Sequence, residues 1–318
     1  MKKRTKLGIL SLLAGAGAAG GMAAAGNALY NQVMIPTPRD PSSSDADPAE
    51  CAAGRRWAQT AAGFQNASIQ SVDGLHLWAA VVPAASQTHR WAVCVHGYHD
   101  DHTGMGVYGK RYHEAGWNVL LPDQRGYGNS EGYYIGWGYD ERLDLVGWIS
   151  WIIRHDADAE ILLHGVSMGA ATVLMTTGGA LPGNVKAAVS DCSYTDIETE
   201  MRHVVQDYRK DGDRRLSLPV PASAAFALLR QTTLRKTGFD LRDASPKEAV
   251  ERSKTPTLFI HGTEDKFVPS HMMGKLFQAA RCPKSFLWIP GAGHAQAVGI
   301  DPNLYWSTVS TFVDTYFS

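Results

Sequence analysis

The chain has 318 residues, of which 44% are apolar and 19% charged: enough for a packed core and too apolar for a wholly disordered chain. Its 30 Lys and Arg nearly cancel 31 Asp and Glu, so no basic excess points to nucleic acid. Four of the basic residues (Lys2, Lys3, Arg4 and Lys6) stand in the first six positions. The remainder, 26 basic against 31 acidic residues, is mildly acidic, which argues against a body that binds polyanions.

After the basic start, Leu7 to Tyr30 carries no charge. This is the pattern of an export or anchoring segment, and 24 residues are enough to span a bilayer. Only Leu7–Leu13 is strongly apolar, and Ala23–Ala25 offers small residues for cleavage. Residues 1–30 are therefore expected to be a signal anchor or a signal peptide. The basic end should stay in the cytoplasm, placing the body outside it, either held in the cell membrane by the N-terminal helix or secreted. Residues 31–60, with Pro36, Pro38, Pro41, Pro48 and Ser42–Ser44, read as a linker. Residues 61–318 form one domain. None of the cysteines has C-x-x-C spacing, so no zinc or redox motif is indicated. Cys94 and Cys192 read as buried thiols, and Cys51 and Cys282 as the two that could pair in an oxidising compartment.

Within the domain, Ile69–Val82 alternates about Asp73-Gly74, a hairpin signal. Trp91–Val95 is a short continuous apolar strand. Met105–Ala115 is expected to be helical and to end at Gly116. Trp117–Leu121 is the next strand, stopped by Pro122. Leu145, Trp148, Ile149 and Ile152 put Asp140–Arg154 in an amphipathic helix. Further strands are expected at Glu160–His164, Val185–Val189, Thr257–His261 and Phe286–Ile289. Helices follow at Met168–Gly178, Ser270–Ala280 and Pro302–Phe317. Strands alternating with helices make an α/β fold, a mostly parallel twisted sheet with helices on both faces. The rhythm breaks from about Thr195 to Ser253, a stretch without a clear strand. Its charged run Arg209–Arg215 reads as a solvated loop. Its apolar part, Val220–Leu229, is expected either to line a lid or to pack the insertion onto the body.

The chemistry gathers at strand ends. Gly165-Val166-Ser167-Met168-Gly169 fits G-x-S-x-G between a strand and a helix, the setting of a nucleophile elbow. A serine hydroxyl needs a base, and the partners follow in the order acid, then histidine. Asp265, at the end of strand Thr257–His261, is the favoured acid; Glu264 and Asp191 are the alternatives. His294 stands in a loop of small residues after the final strand and is the expected base. The N–H groups of Met168 and Tyr98 are the expected oxyanion donors. His96 should buttress that second loop by hydrogen bonding, and His99 should line the cleft. The Gly-rich segment Arg125–Gly132 fits neither a P-loop nor a dinucleotide fingerprint and reads as structural. No metal-ligand spacing appears, and no cofactor is expected.

With these motifs in view, Phe64–Phe317 resembles the α/β-hydrolase superfamily. Within it, the chain is similar to bacterial membrane-associated hydrolases with a serine aminopeptidase or lysophospholipase-type domain. Ser71–Leu75, His96-Gly97-Tyr98, Asp123–Gly132, Gly165–Gly169, His261–Pro269 and Gly293-His294-Ala295 carry the resemblance. It implies the α/β-hydrolase fold, a Ser167–Asp265–His294 triad and a helical cap at about 195–253. The expected activity is hydrolysis of a carboxylic ester through an acyl-enzyme, with peptide second and thioester third. The expected partner is a small ester, a lipid-like molecule or a peptide, not nucleic acid. A non-catalytic envelope-anchored binding protein on the same scaffold is the alternative from another class, and lyase, haloperoxidase or acyltransferase chemistry a third.

Overall fold

The computed structural model describes residues 21–37, 48–60, 63–210 and 221–317. Residues 21–33 form a first helix, α1. Then come α2 (Ala49–Thr60), β1 (Gln65–Gln70), β2 (His76–Val82), β3 (Arg90–Val95), α3 (Gly106–Glu114) and β4 (Asn118–Pro122). They are followed by α4 (Glu141–His155), β5 (Glu160–Val166), α5 (Met168–Thr177), β6 (Val185–Asp191), α6 (Ile197–Lys210), α7 (Ala222–Thr237) and α8 (Pro246–Val250). The chain closes with β7 (Thr257–Gly262), α9 (His271–Ala279), β8 (Lys284–Ile289), α10 (Ala297–Ile300) and α11 (Pro302–Asp314). Two compact units result, Pro36–Glu200 with Ala244–Ser318 and Met1–Ile35 with Met201–Asp243.

The larger unit holds one eight-stranded sheet in the order β1-β2-β4-β3-β5-β6-β7-β8. β1 and β2 pair antiparallel, as do β2 and β4; every pair from β4 onward is parallel. The hairpin turns at Gly74, φ 91°, where Ser71 N–H bonds the Leu75 carbonyl at 2.9 Å. Strand β3 shows why the sheet needs cover on both sides. Its Ala92 and Cys94 join an apolar cluster with Tyr108, Tyr112, Trp306 and Phe312, bringing α3 and α11 to one face. Its Trp91, Val93 and Val95 join Leu145, Trp148, Ile149 and Ile152 of α4 on the other. Each such large side chain contributes about 1.5–3 kcal/mol by leaving water.

Two expectations need correction. The linker read over residues 31–60 contains α2. After Pro48 the chain is Ala-rich and free of proline, with Glu50 in the first turn, and these residues favour a helix. Its Gly54 lies against the backbone of Gly106 and Val107, leaving no room for a Cβ at the α2–α3 crossing. Cys51 and Cys282 are not joined by a disulfide. Cys282 is buried with Phe259 and Leu276, its Sγ 3.8 Å from Thr257 Oγ1. Cys51 packs against the cluster around α3 and α11.

In the smaller unit, the buried residues of α7 (Ala222, Ala225, Phe226, Leu229 and Thr233) recur at helical spacing. Gly26 of α1 lies against the Thr232 side chain, and Lys236 Nζ stands 4.5 Å from the Tyr30 ring centroid. The Thr195–Ser253 stretch is helical with no strand among its described residues. Residues 211–220, which hold most of the charged run, lie outside the described residues, as do residues 1–20 with the basic start and Leu7–Leu13. Among the described residues no helix is long and apolar enough to cross a membrane.

Candidate active site

Ser167 stands between β5 and α5 with φ 56° and ψ −120°, a conformation few side-chain-bearing residues adopt. Close packing of backbone forces it there. Gly165 faces the backbone of Gly169, and Gly169 faces the carbonyls of Val95 and His96, so a Cβ at either would collide with main chain. The Ser167 N–H is tied to the Asp191 carbonyl at 2.8 Å. Its side chain is thereby turned out of the sheet, with the N-terminus of α5 behind it.

His294, in the loop after β8, places Nε2 2.8 Å from Ser167 Oγ. Its Nδ1 lies 2.8 Å from Asp265 Oδ2. Asp265, in the loop after β7, is buried and its oxygens are saturated. Oδ1 accepts the Phe267 and Val268 N–H groups at 3.0 and 2.9 Å, and Oδ2 also lies 3.1 Å from His261 Nε2. Burial by itself would raise the Asp265 pKa, but the hydrogen bonds from His261 and His294 outweigh it and pull it down to about 2. With Asp265 ionised and facing Nδ1, the proton of a neutral His294 belongs on Nδ1, which leaves Nε2 free to accept from Ser167.

The other acids considered do not meet His294. Glu264 points to solvent. Asp191 is buried and accepts the Tyr305 hydroxyl at 3.0 Å, with burial raising its pKa to about 6. That hydroxyl also lies 3.0 Å from His164 Nε2, and His164 Nδ1 lies 2.8 Å from the Tyr112 hydroxyl. A buried polar chain thus links Asp191, Tyr305, His164 and Tyr112.

The loop after β3 brings Gly97 against the serine: a Cβ there would lie 3.2 Å from Ser167 Cβ. His96 holds the loop. Its Nε2 accepts the Gln124 N–H at 2.9 Å, so Nδ1 carries the proton and donates to the Gly97 carbonyl at 2.7 Å. Gln124 in turn donates to the His96 carbonyl and accepts from Thr172 of α5. Tyr98 reaches the cavity, stacking on Trp137 at 4.8 Å. Met168, the first residue of α5, has an N–H without an intrahelical acceptor, as the first turn of any helix does. His99 departs from expectation. It has φ 57°, is 2.5 Å from Thr37 Oγ1 through Nδ1, and is not among the residues lining the cavity. Arg125 is spoken for: it makes paired hydrogen bonds to Asp144 at 2.7 Å and to Asp73 at 3.0 and 3.1 Å, which fits a structural loop rather than a phosphate cradle.

The cavity, about 400 Å³, is bounded by Ser167, His294, Gly97, Tyr98 and, from α2, Cys51 and Arg55. Arg55 Nη1 lies 3.2 Å from Asp100 Oδ1 at its side. The α2 residues escaped the sequence reading, where proline-rich chain masked the alanine-rich helix behind it. Cys192 escaped it too. Its thiol, held protonated by burial, shares a 4.8 Å neighbourhood with the ligand atoms of Asp265 and His294. These three form the one such group of potential metal ligands among the described residues, and two of them are bonded to each other.

The family model described as "Alpha/beta hydrolase family" matches residues 92–304, about two thirds of the chain. The chain belongs to the alpha/beta hydrolase family. A protein of Bacillus subtilis (strain 168), "Uncharacterized protein YqkD", is 29% identical over 205 residues, a match covering 63% of this chain and 63% of that relative's length. Among solved structures, the Pyrococcus furiosus esterase Pf2001 superposes with a TM-score of 0.66 at 17% identity, over 90% of this chain and 99% of that one. The Pyrococcus horikoshii acylaminoacyl peptidase gives a TM-score of 0.56 at 16% identity, over 81% of this chain and 42% of that one. At these identities the structural likeness concerns the α/β-hydrolase fold, which these neighbours share with this eight-stranded sheet.

Proposed function

We propose that this alpha/beta hydrolase is a serine hydrolase of carboxylic esters. The observation that carries the reading is the unbroken relay from Ser167 Oγ to His294 Nε2, 2.8 Å, and from His294 Nδ1 to Asp265, 2.8 Å. In the proposed reaction Ser167 Oγ attacks the ester carbonyl while His294 Nε2 takes its proton. Asp265 keeps its charge and steadies the imidazolium. The Met168 and Tyr98 N–H groups receive the oxyanion. His294 then returns the proton to the leaving alkoxide, and a water activated by the same nitrogen releases the acid from Ser167. A cavity of about 400 Å³ suits a small acyl or alcohol part. The structural neighbours include an esterase and an acylaminoacyl peptidase, whose names are compatible with this chemistry. A binding protein without catalysis would gain nothing from a strained serine at φ 56° in contact with a base.

The test is hydrolysis of p-nitrophenyl acetate and butyrate by purified protein. Ser167→Ala is expected to lower kcat by roughly 10⁴–10⁶ with the fold intact by circular dichroism. Equal rates for the variant and the parent would overturn the reading.

A further inference from the structure

The segment that supplies Asp265 also supplies a second histidine four residues earlier, His261 on β7. Its side chain is fully buried, and its Nε2 faces two acceptors, the Val268 carbonyl at 2.9 Å and Asp265 Oδ2 at 3.1 Å. Nε2 must therefore carry a proton. Nδ1 has no hydrogen-bond partner. A second proton there would bury an unpaired charged donor, so the neutral ring with its hydrogen on Nε2 costs least. Asp265 Oδ2 thus receives two imidazole donors, His294 from the cavity side and His261 from within the sheet.

We infer that His261 is a positioning residue for catalysis: it fixes Asp265 Oδ2 from behind, so that the carboxylate holds His294 in line with Ser167. The inference rests on the assignment of Ser167, Asp265 and His294 made above. Two main-chain donors fix Oδ1, but Oδ2, the oxygen that touches His294, has His261 as its second anchor. Without that donor the carboxylate is free to pivot about Oδ1. Its charge on Oδ2 is also less dispersed and acts more strongly on the imidazolium that forms in the reaction. The remaining titratable groups bearing on Asp265 are Asp191 and Cys192 at the end of β6 and Glu200 in α6, and none is altered in the test.

The full-length protein is compared with His261→Phe, which removes the donor, and His261→Gln, whose amide N–H reaches the place of Nε2. His261→Phe is expected to lower kcat by roughly 10- to 100-fold at unchanged KM, and to move the acid limb of the kcat/KM profile to higher pH. His261→Gln should restore both to near the parent. If His261→Phe does not fold by circular dichroism, His261→Asn replaces it, since its shorter amide cannot reach Oδ2. The inference is overturned if the donor-less variant keeps the parent's kcat and acid limb, or if His261→Gln falls as far as the donor-less one. Fluorophosphonate labelling of each protein separates the two levels. A parent that is neither labelled at Ser167 nor active refutes the serine-hydrolase reading. A labelled, active parent indifferent to His261 refutes this inference alone.

Discussion

Ser167 is one of five non-glycine residues with positive φ among the described residues; the others are His99, Trp137, Cys192 and Ala295. All five belong to the site or touch it. His99 follows Tyr98, and Trp137 stacks on it. Cys192 lies by Asp265, and Ala295 follows His294. Each such conformation costs about 1–3 kcal/mol, tolerated only where surrounding packing dictates it. Asp265 illustrates how a single carboxylate is chosen. Asp265→Asn should lower kcat by about 10⁴, because the amide keeps the shape but no longer selects the Nδ1–H tautomer of His294. Glu264→Gln, altering a solvent-facing side chain, should leave it within about twofold. Steady-state kinetics on the two variants decide this, and comparable losses would remove Asp265 from its place. Ser167, Asp265 and His294 were legible in the sequence because each stands in a short loop after a readable strand, in a fixed chain order. His261 and Cys192 were not, because what matters about them is which oxygen or ring they approach in space, and no local spacing encodes that.

Helix α2 shows where element-level reading fails. Prolines and serines before it carry a linker signal, and twelve residues are too few to declare a helix by periodicity when their partner lies some fifty residues away. What stabilises it is tertiary: Gly54 on Gly106 and Val107, and Trp57 tilted against His113 with ring centroids 5.6 Å apart. Gly54→Ala puts a methyl group into the α3 backbone. It should cost about 1–3 kcal/mol and lower the melting temperature, despite alanine's better helix propensity. Because α2 carries Cys51 and Arg55 to the cavity, kcat/KM should fall with it. Thermal unfolding checks this, and a variant that melts at or above the parent would show that the crossing accommodates a methyl group. Strand β5 and the elbow after it are the opposite case. Their apolar run, glycine pair and serine are local signals, and the structure needs them for a local reason.

At the scale of the molecule, strand identity was legible and strand order was not. β4 lies between β2 and β3, with the antiparallel β1–β2 pair at one edge, and the pairings that set this order join residues 27 to 43 apart and leave no mark on local periodicity. That order brings the loops after β3, β5, β7 and β8 to one end of the sheet, where open parallel sheets bind their ligands. Four separate segments then contribute one residue or one loop each: Gly97-Tyr98, Ser167, Asp265 and His294. On the proposed function, that convergence makes Ser167 a competent nucleophile. The direct measurement is exposure of the parent protein to a fluorophosphonate, followed by peptide mass spectrometry. A single covalent adduct is expected on Ser167, absent from Ser167→Ala and much slowed in His294→Ala. An unmodified Ser167 in folded protein, or an adduct on another residue, would contradict it.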